Sequence, residues 1–449
     1  MAVSETTATG AVGGGGLDHI PATGGLPLFG NTFEFIRDPF AFHQRRIEMF
    51  GPVYRFSVFG GQTVALNGAA GLETVLMDRD KIFSSRKGWN VLEQLFSDGL
   101  MLRDFDDHRA HRRVMQAAFK PAPMQDYVSR MNDGIAEAMR RWAATPKFRF
   151  YDGIKKLTLD LGASVFLGVD MGPEAQKLNQ AFIDEVAASI AVIRRPIPGT
   201  QMWRGVKARA FLRAYFRDLI AERRRAGGDD MFSQLCRAES DDGRMFSDEE
   251  IVDHMNFLLM AAHDTTTSAL TTMAWALATY PDWQEAVRKE VLELGTERLS
   301  YDDMGALDLT ERVFKEALRL KPPVPFIPRF AVAPFSYGGY DIPAETSVVV
   351  TPGLTMIDPS LWTEPASFDP DRFSPNRAED QSHRFAWAPF GGGAHKCIGM
   401  HFAIMQVKAF AFQFLRQYRI DLPADYAPRW QPIPIPKPRD GLPVTITRL

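Results

Sequence analysis

The sequence predicts a mainly α (α+β) protein, in which a large helical domain carries a smaller β-rich part. Three observations lead there. Apolar residues recur at three- and four-residue spacing from about Asp107 to Lys321, the mark of amphipathic helices. Two regions, mainly 51–70 and 325–352, instead alternate apolar and polar residues between Gly and Pro punctuation, as strands do. A last apolar stretch, Met400 to Tyr418, returns to the helical pattern.

Taken in order, residues 1–20 are small and Gly- and Thr-rich, with no positive start and no apolar run. They are expected to form a flexible tail, not a secretory signal. The run Gly13 to Gly16 follows no strand, so it is no dinucleotide-binding turn. Residues Gly51 to Val58 and Thr63 to Asn67 flank Gly60-Gly61 and read as a hairpin. Helices are expected over Val128–Trp142, Phe211–Arg225, Asp248–Tyr280 and Trp283–Leu294, the third opened by a Ser247/Glu250 capping box. Beyond Pro322 come strands at Arg329–Ala333, Phe335–Ile342 and Ser347–Thr351, then the final helix and a strand tail around Val444. No repeat or composition break divides the chain, and residues 21–449 are expected to form one domain.

Composition narrows the function classes. The chain has 449 residues, 45% hydrophobic and 24% charged, with net charge −3, so nothing global points to nucleic acid or an anionic membrane. Two cysteines, Cys236 and Cys397, are too few for a disulfide framework or a zinc site. No stretch of about 18 apolar residues stands out, the richest candidate, Phe257 to Ala262, being cut short by His263 and Asp264. A soluble, cytoplasmic monomer is expected.

The chemistry concentrates at Phe390-Gly-Gly-Gly-Ala-His-Lys-Cys-Ile-Gly399, just ahead of the final helix. Glycines at 391, 392, 393 and 399 permit positive-φ turns and close approach to a flat group. Cys397 precedes a helix start, where N–H groups and the dipole are expected to lower a thiol pKa. His395 and Lys396 add donors or positive charge for a dianionic cofactor. A lone cysteine is more often an inert buried one; the glycines and cationic neighbours argue otherwise.

The pattern Phe-x-x-Gly-x-His-x-Cys-x-Gly is similar to the haem-binding signature of the cytochrome P-450 superfamily, and the resemblance runs from Pro27-Leu-Phe-Gly-Asn31 to Asp440-Gly-Leu-Pro-Val444. It implies the cytochrome P-450 fold and haem b, iron protoporphyrin IX, with Cys397 as axial thiolate and metal ligand, with Phe390, Gly391, Gly399 and Ala261 beside it. Glu316-Ala-Leu-Arg319 and Phe368-Asp-Pro-Asp-Arg-Phe373 resemble two further motifs of the family. They imply a structural triad of Glu316, Arg319 and Arg372, where a bare i,i+3 pair would be a surface pair of little worth. His108 and Arg112, at i and i+4, together with Arg329 and His395, are implied to hold the haem propionates, with His111 and Arg113 left on the surface.

Ala261-Ala-His-Asp-Thr-Thr266 resembles the family's oxygen-activating segment, with Asp264 and Thr265 as the acid–alcohol pair of a proton relay. Without Cys397 those threonines would read as back-bonding to helix carbonyls. Ala262 stands where glycine is usual, and His263 is expected to point away from the iron, about 100° round from each neighbour. Val324, Phe326, Ile327, Leu100 and Phe257 are the expected pocket residues, and Arg86 or Asn90 would orient a polar end of the substrate. The apolar lining implies a lipophilic substrate, a steroid, terpenoid, fatty acid or aromatic compound.

No flavin or nicotinamide fingerprint appears, so electrons are expected from a separate ferredoxin and its NAD(P)H-dependent reductase, docking on Lys396, Arg113 and Lys408. The expected activity is a dioxygen-dependent monooxygenase. A peroxide-driven peroxygenase, an isomerase of the same fold, or a non-enzymatic haem sensor are the alternatives.

Overall fold

Alternation over 51–70 produces an antiparallel hairpin in which Val53 faces Leu66 and Val58 faces Gly61. The computed structural model describes residues 16–449 except 144, 146, 147 and 171. The turn falls one residue earlier than Gly60-Gly61. Phe59 and Gly60 take φ of 51° and 79°, the two-residue geometry that matches strand twist, while Gly61 joins the ladder.

This hairpin is one edge of a five-stranded sheet. Next to Gly61–Leu66 lies Thr346–Val350, then Ile327–Ala331, then Phe83–Ser84. Gly61–Leu66 and Thr346–Val350 run parallel, a pairing that needs a long crossover. Almost the whole helical part supplies it, so 51–70 and 325–352 meet in one sheet. Strands expected at Arg329 and Ser347 begin at Ile327 and Thr346. The single strand expected over 335–342 is a small hairpin, Phe335–Tyr337 with Tyr340–Ile342, because Gly338 and Gly339 turn at positive φ.

Helices fill the interval. The central one, Asp248–Thr279, opens with the expected capping box: Glu250 N–H donates to Ser247 Oγ, and Ser247 N–H donates to the Glu250 carboxylate at 2.8 Å. It packs against Phe150–Leu167, Gln201–Ala226 and Asp308–Leu320. Pro121–Ala143, Gln201–Ala226 and Pro281–Glu293 all start upstream of their expected bounds. Pro121 and Pro281 open two of them and a Thr200 cap the third, and buried Met124, Tyr127 and Met202 extend the apolar face upstream.

The last helix, Met400–Leu415, stops before Tyr418, which enters a strand paired with Thr445–Arg448. Contrary to expectation, Gly393–Leu415 is long and apolar enough to pass for a membrane span, yet 67% of its apolar window is buried inside the fold. Phe402, Phe410, Phe412 and Phe414 put it in the core, each buried ring contributing about 1.5–3 kcal/mol.

The expected tail needs correction at its end. Residues 1–15 lie outside the described residues, but Leu17–His19 form a short turn, and Ile20 is buried in the sheet's cluster with Val53 and Val64. His19 Nε2 lies 2.8 Å from the Asp341 carbonyl oxygen.

Candidate active site

The loop before Met400–Leu415 is closed by Cys397 N–H donating to the Phe390 carbonyl at 2.9 Å. Gly391 and Gly393 take φ of 67° and 60°. A Cβ on Gly393 would sit 1.8 Å from the Leu76 carbonyl oxygen, so the loop lies directly on the Gly68–Met77 helix. Gly399 departs from expectation: at φ −87° it is the helix N-cap, and its N–H donates to the Cys397 sulfur. Cys397 keeps exposed surface, yet burial pushes its thiol up, against the pull of Gly399 N–H, Arg112 and Lys396. Both hold for a sulfur facing an inward cleft. Desolvation thus opposes the lowering expected from the helix start. Cys236 lies buried within Met231–Arg237, its thiol pushed up by burial to about 12.

Four side chains from three elements gather beside that sulfur. His108 and Arg112 come from Phe105–Met115, Arg329 from its strand, and His395 from the cysteine loop. The His108 and His395 rings stack, with centroids 3.8 Å apart. Burial, followed by neighbouring charge, lowers His108 to about 4 and His395 to about 2. Both shifts favour the neutral rings, and the fixed positive charge belongs to the arginines. Burial brings Arg329 down to about 10. Among the described residues neither Arg112 nor Arg329 pairs with a carboxylate, and buried His108 Nδ1 has no partner. Two partly or wholly buried guanidiniums need anions. A group with two carboxylates and a thiol-seeking metal fits this donor set.

His111 corrects the sequence reading. It lies at i+3 from His108, hence on the same face, and is 1% exposed. Its Nδ1 is 2.8 Å from His254 Nε2, and its Nε2 is 3.2 Å from Glu250. Lys408 is also buried, bonded to Glu311 at 2.6 Å and the Met304 carbonyl at 2.8 Å, so it belongs to no docking surface. Lys396 is exposed, and exposed Arg113 stands 3.6 Å from Asp242.

Behind the loop, Glu316 receives Arg319 at 2.6 and 2.8 Å, Arg372 Nε at 3.2 Å and Asp369 N–H at 2.9 Å. All three triad side chains are 0–1% exposed. Arg319 also donates to the carbonyls of Met356, Pro365 and Ser367, and Arg372 to those of Thr363, Glu364 and Ser367. The triad reaches the loop through rings: Trp362 against Phe373, Phe373 against Trp387, Trp387 against Phe390.

Along the central helix, residues 254–259 and 266–274 are buried, whereas Met260, Ala261, Ala262, Asp264 and Thr265 keep surface. Thr265 Oγ1 donates to the Ala261 carbonyl at 2.6 Å. That is the back-bond expected of a helical threonine; it leaves the hydroxyl lone pairs to accept from a neighbour, and the helix stays unbroken. Asp264 lies 3.7 Å from Lys155 Nζ and 3.1 Å from His263 Nδ1. Burial would raise its carboxyl, but His263, Lys155 and Lys437 together hold it below the ordinary range. Lys155, Lys437 and Tyr151 were invisible to sequence reading, since they meet Asp264 only across the fold. A lysine on the apolar Phe150–Leu167 helix was the one available hint.

Of the expected pocket residues, Phe257 packs onto Gly99, where an added Cβ would lie 2.4 Å from the Phe257 Cβ, and Leu100 is buried. Ile327 reaches to within 3.8 Å of where a Gly391 Cβ would be, and Val324 joins the same cluster. Phe326 does not follow them. Its ring packs instead with Phe40 (5.3 Å) and His43 (5.0 Å). Arg86 is taken up by Glu93 and Asp98.

A thiol at a helix start, partly or wholly buried arginines without carboxylate partners among the described residues, and a helical fold with one mixed sheet fit a haem-thiolate protein. The sequence model of the family described as Cytochrome P450 matches residues 21–438, and the chain belongs to that family. It is 39% identical to a putative cytochrome P450 136 of Mycobacterium tuberculosis, covering 96% of this chain and 89% of that one. It is 27% identical to a taxane 10-beta-hydroxylase of Taxus cuspidata, over 90% and 84% of the two chains. The solved structure of retinoic acid-bound cyanobacterial CYP120A1 superposes with a TM-score of 0.86 at 27% identity, covering 96% and 99%. The chain is thus a monooxygenase, an oxidoreductase that incorporates one oxygen atom, and its cofactor is haem b with a cysteine thiolate ligand.

Proposed function

We propose that residues 21–449 form one haem-thiolate unit in which Cys397 is the axial ligand. The unit hydroxylates a lipophilic small molecule: a steroid, terpenoid, fatty acid or aromatic compound. The carrying observation is the convergence of Arg112, Arg329, His108 and His395 on the Cys397 loop without carboxylates of their own. Bound there, haem supplies reductive activation of dioxygen, favoured by electron donation from the thiolate. The arginines would bind its propionates, the imidazoles would donate to them, and Phe390 and Gly391 would hold the loop that presents the sulfur.

Protons are the protein's contribution to the chemistry. Thr265 Oγ1, tied to Ala261, accepts a hydrogen bond from the oxygen side of the groove, and Asp264 next to it exchanges protons with solvent. A dedicated relay suits dioxygen, which must gain two protons, better than a peroxide-driven route. Leu100, Phe257, Val324 and Ile327 are the pocket walls, without Phe326. The names of two similar proteins, with a taxane and with retinoic acid, support a lipophilic substrate. Electrons come from a ferredoxin and an NAD(P)H-dependent reductase, with Lys396 and Arg113 as the cationic landing site.

The test is the absorption spectrum of the reduced, carbon monoxide-bound protein. The parent is expected to show the thiolate-type band and Cys397→Ser to lose it. A thiolate-type band in Cys397→Ser refutes the assignment.

A further inference from the structure

Exposed apolar side chains scattered singly are ordinary, but a contiguous group is not. The loop between the helices Pro173–Ser189 and Gln201–Ala226 carries such a group. Val192 is 98% exposed, and Ile190, Ile193 and Ile197 are 56%, 54% and 52% exposed. Exposed Val91 stands beside them on the short helix Asn90–Phe96. Arg194 Nη2 donates to the Val91 carbonyl at 2.7 Å, and Gln94 Nε2 donates to the Arg194 carbonyl at 3.3 Å. Arg194 Nη1 donates to the Ser189 carbonyl at 2.6 Å. This arginine is engaged by backbone, and the aliphatic side chains on both sides of it are left in water.

The charge around this ridge has one sign. Between Glu185 and Asp218 the chain has no acidic residue and seven cations. Arg209, Arg213 and Arg217 turn to the Leu95 carbonyl, Asp253 and Glu249. Arg195, Arg204 and Lys207 are exposed, and among the described residues none of them pairs with a carboxylate. Half-buried Trp203 lies in the first turn of Gln201–Ala226, with Lys207 Nζ 4.0 Å over its ring. The other exposed apolar set, within residues 26–59, differs: Glu34, Asp38 and Glu48 lie among its arginines, and Arg45 pairs with Glu34 at 2.8 Å.

Aliphatic tips, unpaired cations and a tryptophan are the side chains that suit a boundary between water and lipid. Val192 stands at a protruding tip, which offers a folded partner no groove, whereas a fluid bilayer needs none. We propose that this face docks the protein reversibly on an anionic lipid bilayer. Val192 and Ile193 enter the acyl boundary, and Arg195, Arg204 and Lys207 lie against the headgroups. The rest of the chain stays in water, so this is attachment to a surface and not a span. The inference does not depend on the haem assignment.

Sedimentation of the haem-loaded protein with lipid vesicles tests it. Vesicles of phosphatidylcholine with about 30 mol % phosphatidylglycerol are expected to bind the parent about tenfold more tightly than pure phosphatidylcholine. Salt at about 0.5 M is expected to remove most of that difference. Val192→Asp with Ile193→Asp and, separately, Arg195→Glu with Lys207→Glu are each expected to weaken binding about tenfold. All four side chains are exposed in the free protein, so the melting temperature and absorption spectrum of both double variants should match the parent and report an intact fold. No binding of the parent to the anionic vesicles overturns the proposal, as does equal binding to the two vesicles. Binding that either double variant leaves unchanged overturns it too. A concentration-dependent dimer in lipid-free buffer, abolished by Val192→Asp with Ile193→Asp, assigns the face to a second copy of the chain and overturns the proposal as well.

Discussion

Replacing Glu316 by Gln keeps the shape of the triad and removes its charge. The carboxylate accepts two bonds from Arg319, one from Arg372 and one from Asp369 N–H. Arg372 retains Glu379 at 3.2 Å, but Arg319, 0% exposed, has no other carboxylate among the described residues. Stranding one buried guanidinium costs about 3–5 kcal/mol. For 449 residues the unfolding entropy is about 0.9 kcal/mol/K, which turns that cost into a fall in Tm of about 4 °C. Calorimetry or circular dichroism on the haem-loaded protein reads it. Adding Arg319→Met, which removes the stranded charge, is expected to recover part of the loss. A Glu316→Gln protein that melts within about 1 °C of the parent with full haem content refutes the view that charge, not shape, holds this junction.

Gly393→Ala introduces a Cβ 1.8 Å from the Leu76 carbonyl at a φ of 60°, so haem content after purification should fall severalfold, and undiminished loading would refute the close approach. Burial raises Glu185 from 4.5 to about 8. The unfolded chain therefore releases this proton first, and stability is present below about pH 4.5 and lost as pH rises toward 8. Glu185→Gln should flatten that decline in urea titrations, and a parallel curve would count against it. Lys396→Glu should slow reduction by ferredoxin about tenfold and weaken its salt dependence, read by stopped-flow absorbance; unchanged rate and salt dependence would remove Lys396 from the landing site.

Local chemistry was legible in the sequence where neighbours in the chain are neighbours in space. The Phe390–Gly399 loop, the Glu316/Arg319 pair and the Ser247/Glu250 cap all depend on short spacings. Side-chain direction was less so. His111 shares a face with His108, yet a run of basic residues reads as solvated until the packing of Phe105–Met115 is known. Lys408 is a lone lysine on an apolar helix, and its burial shows only through Glu311, which lies far away in the chain. Of the Asp264 surroundings only its chain neighbour His263 is legible: Lys155 and Lys437 come from elements that only the fold brings together.

The grip of Arg319 and Arg372 on backbone carbonyls has an evolutionary consequence. Every residue carries a carbonyl, so the 356–367 stretch is held by features that no side-chain change can erase. Its side chains are free to drift wherever they do not pack, while its length is not, because one inserted or deleted residue would move several carbonyls off two rigid guanidinium forks. Along this stretch, natural variants should differ by substitution and seldom by gaps.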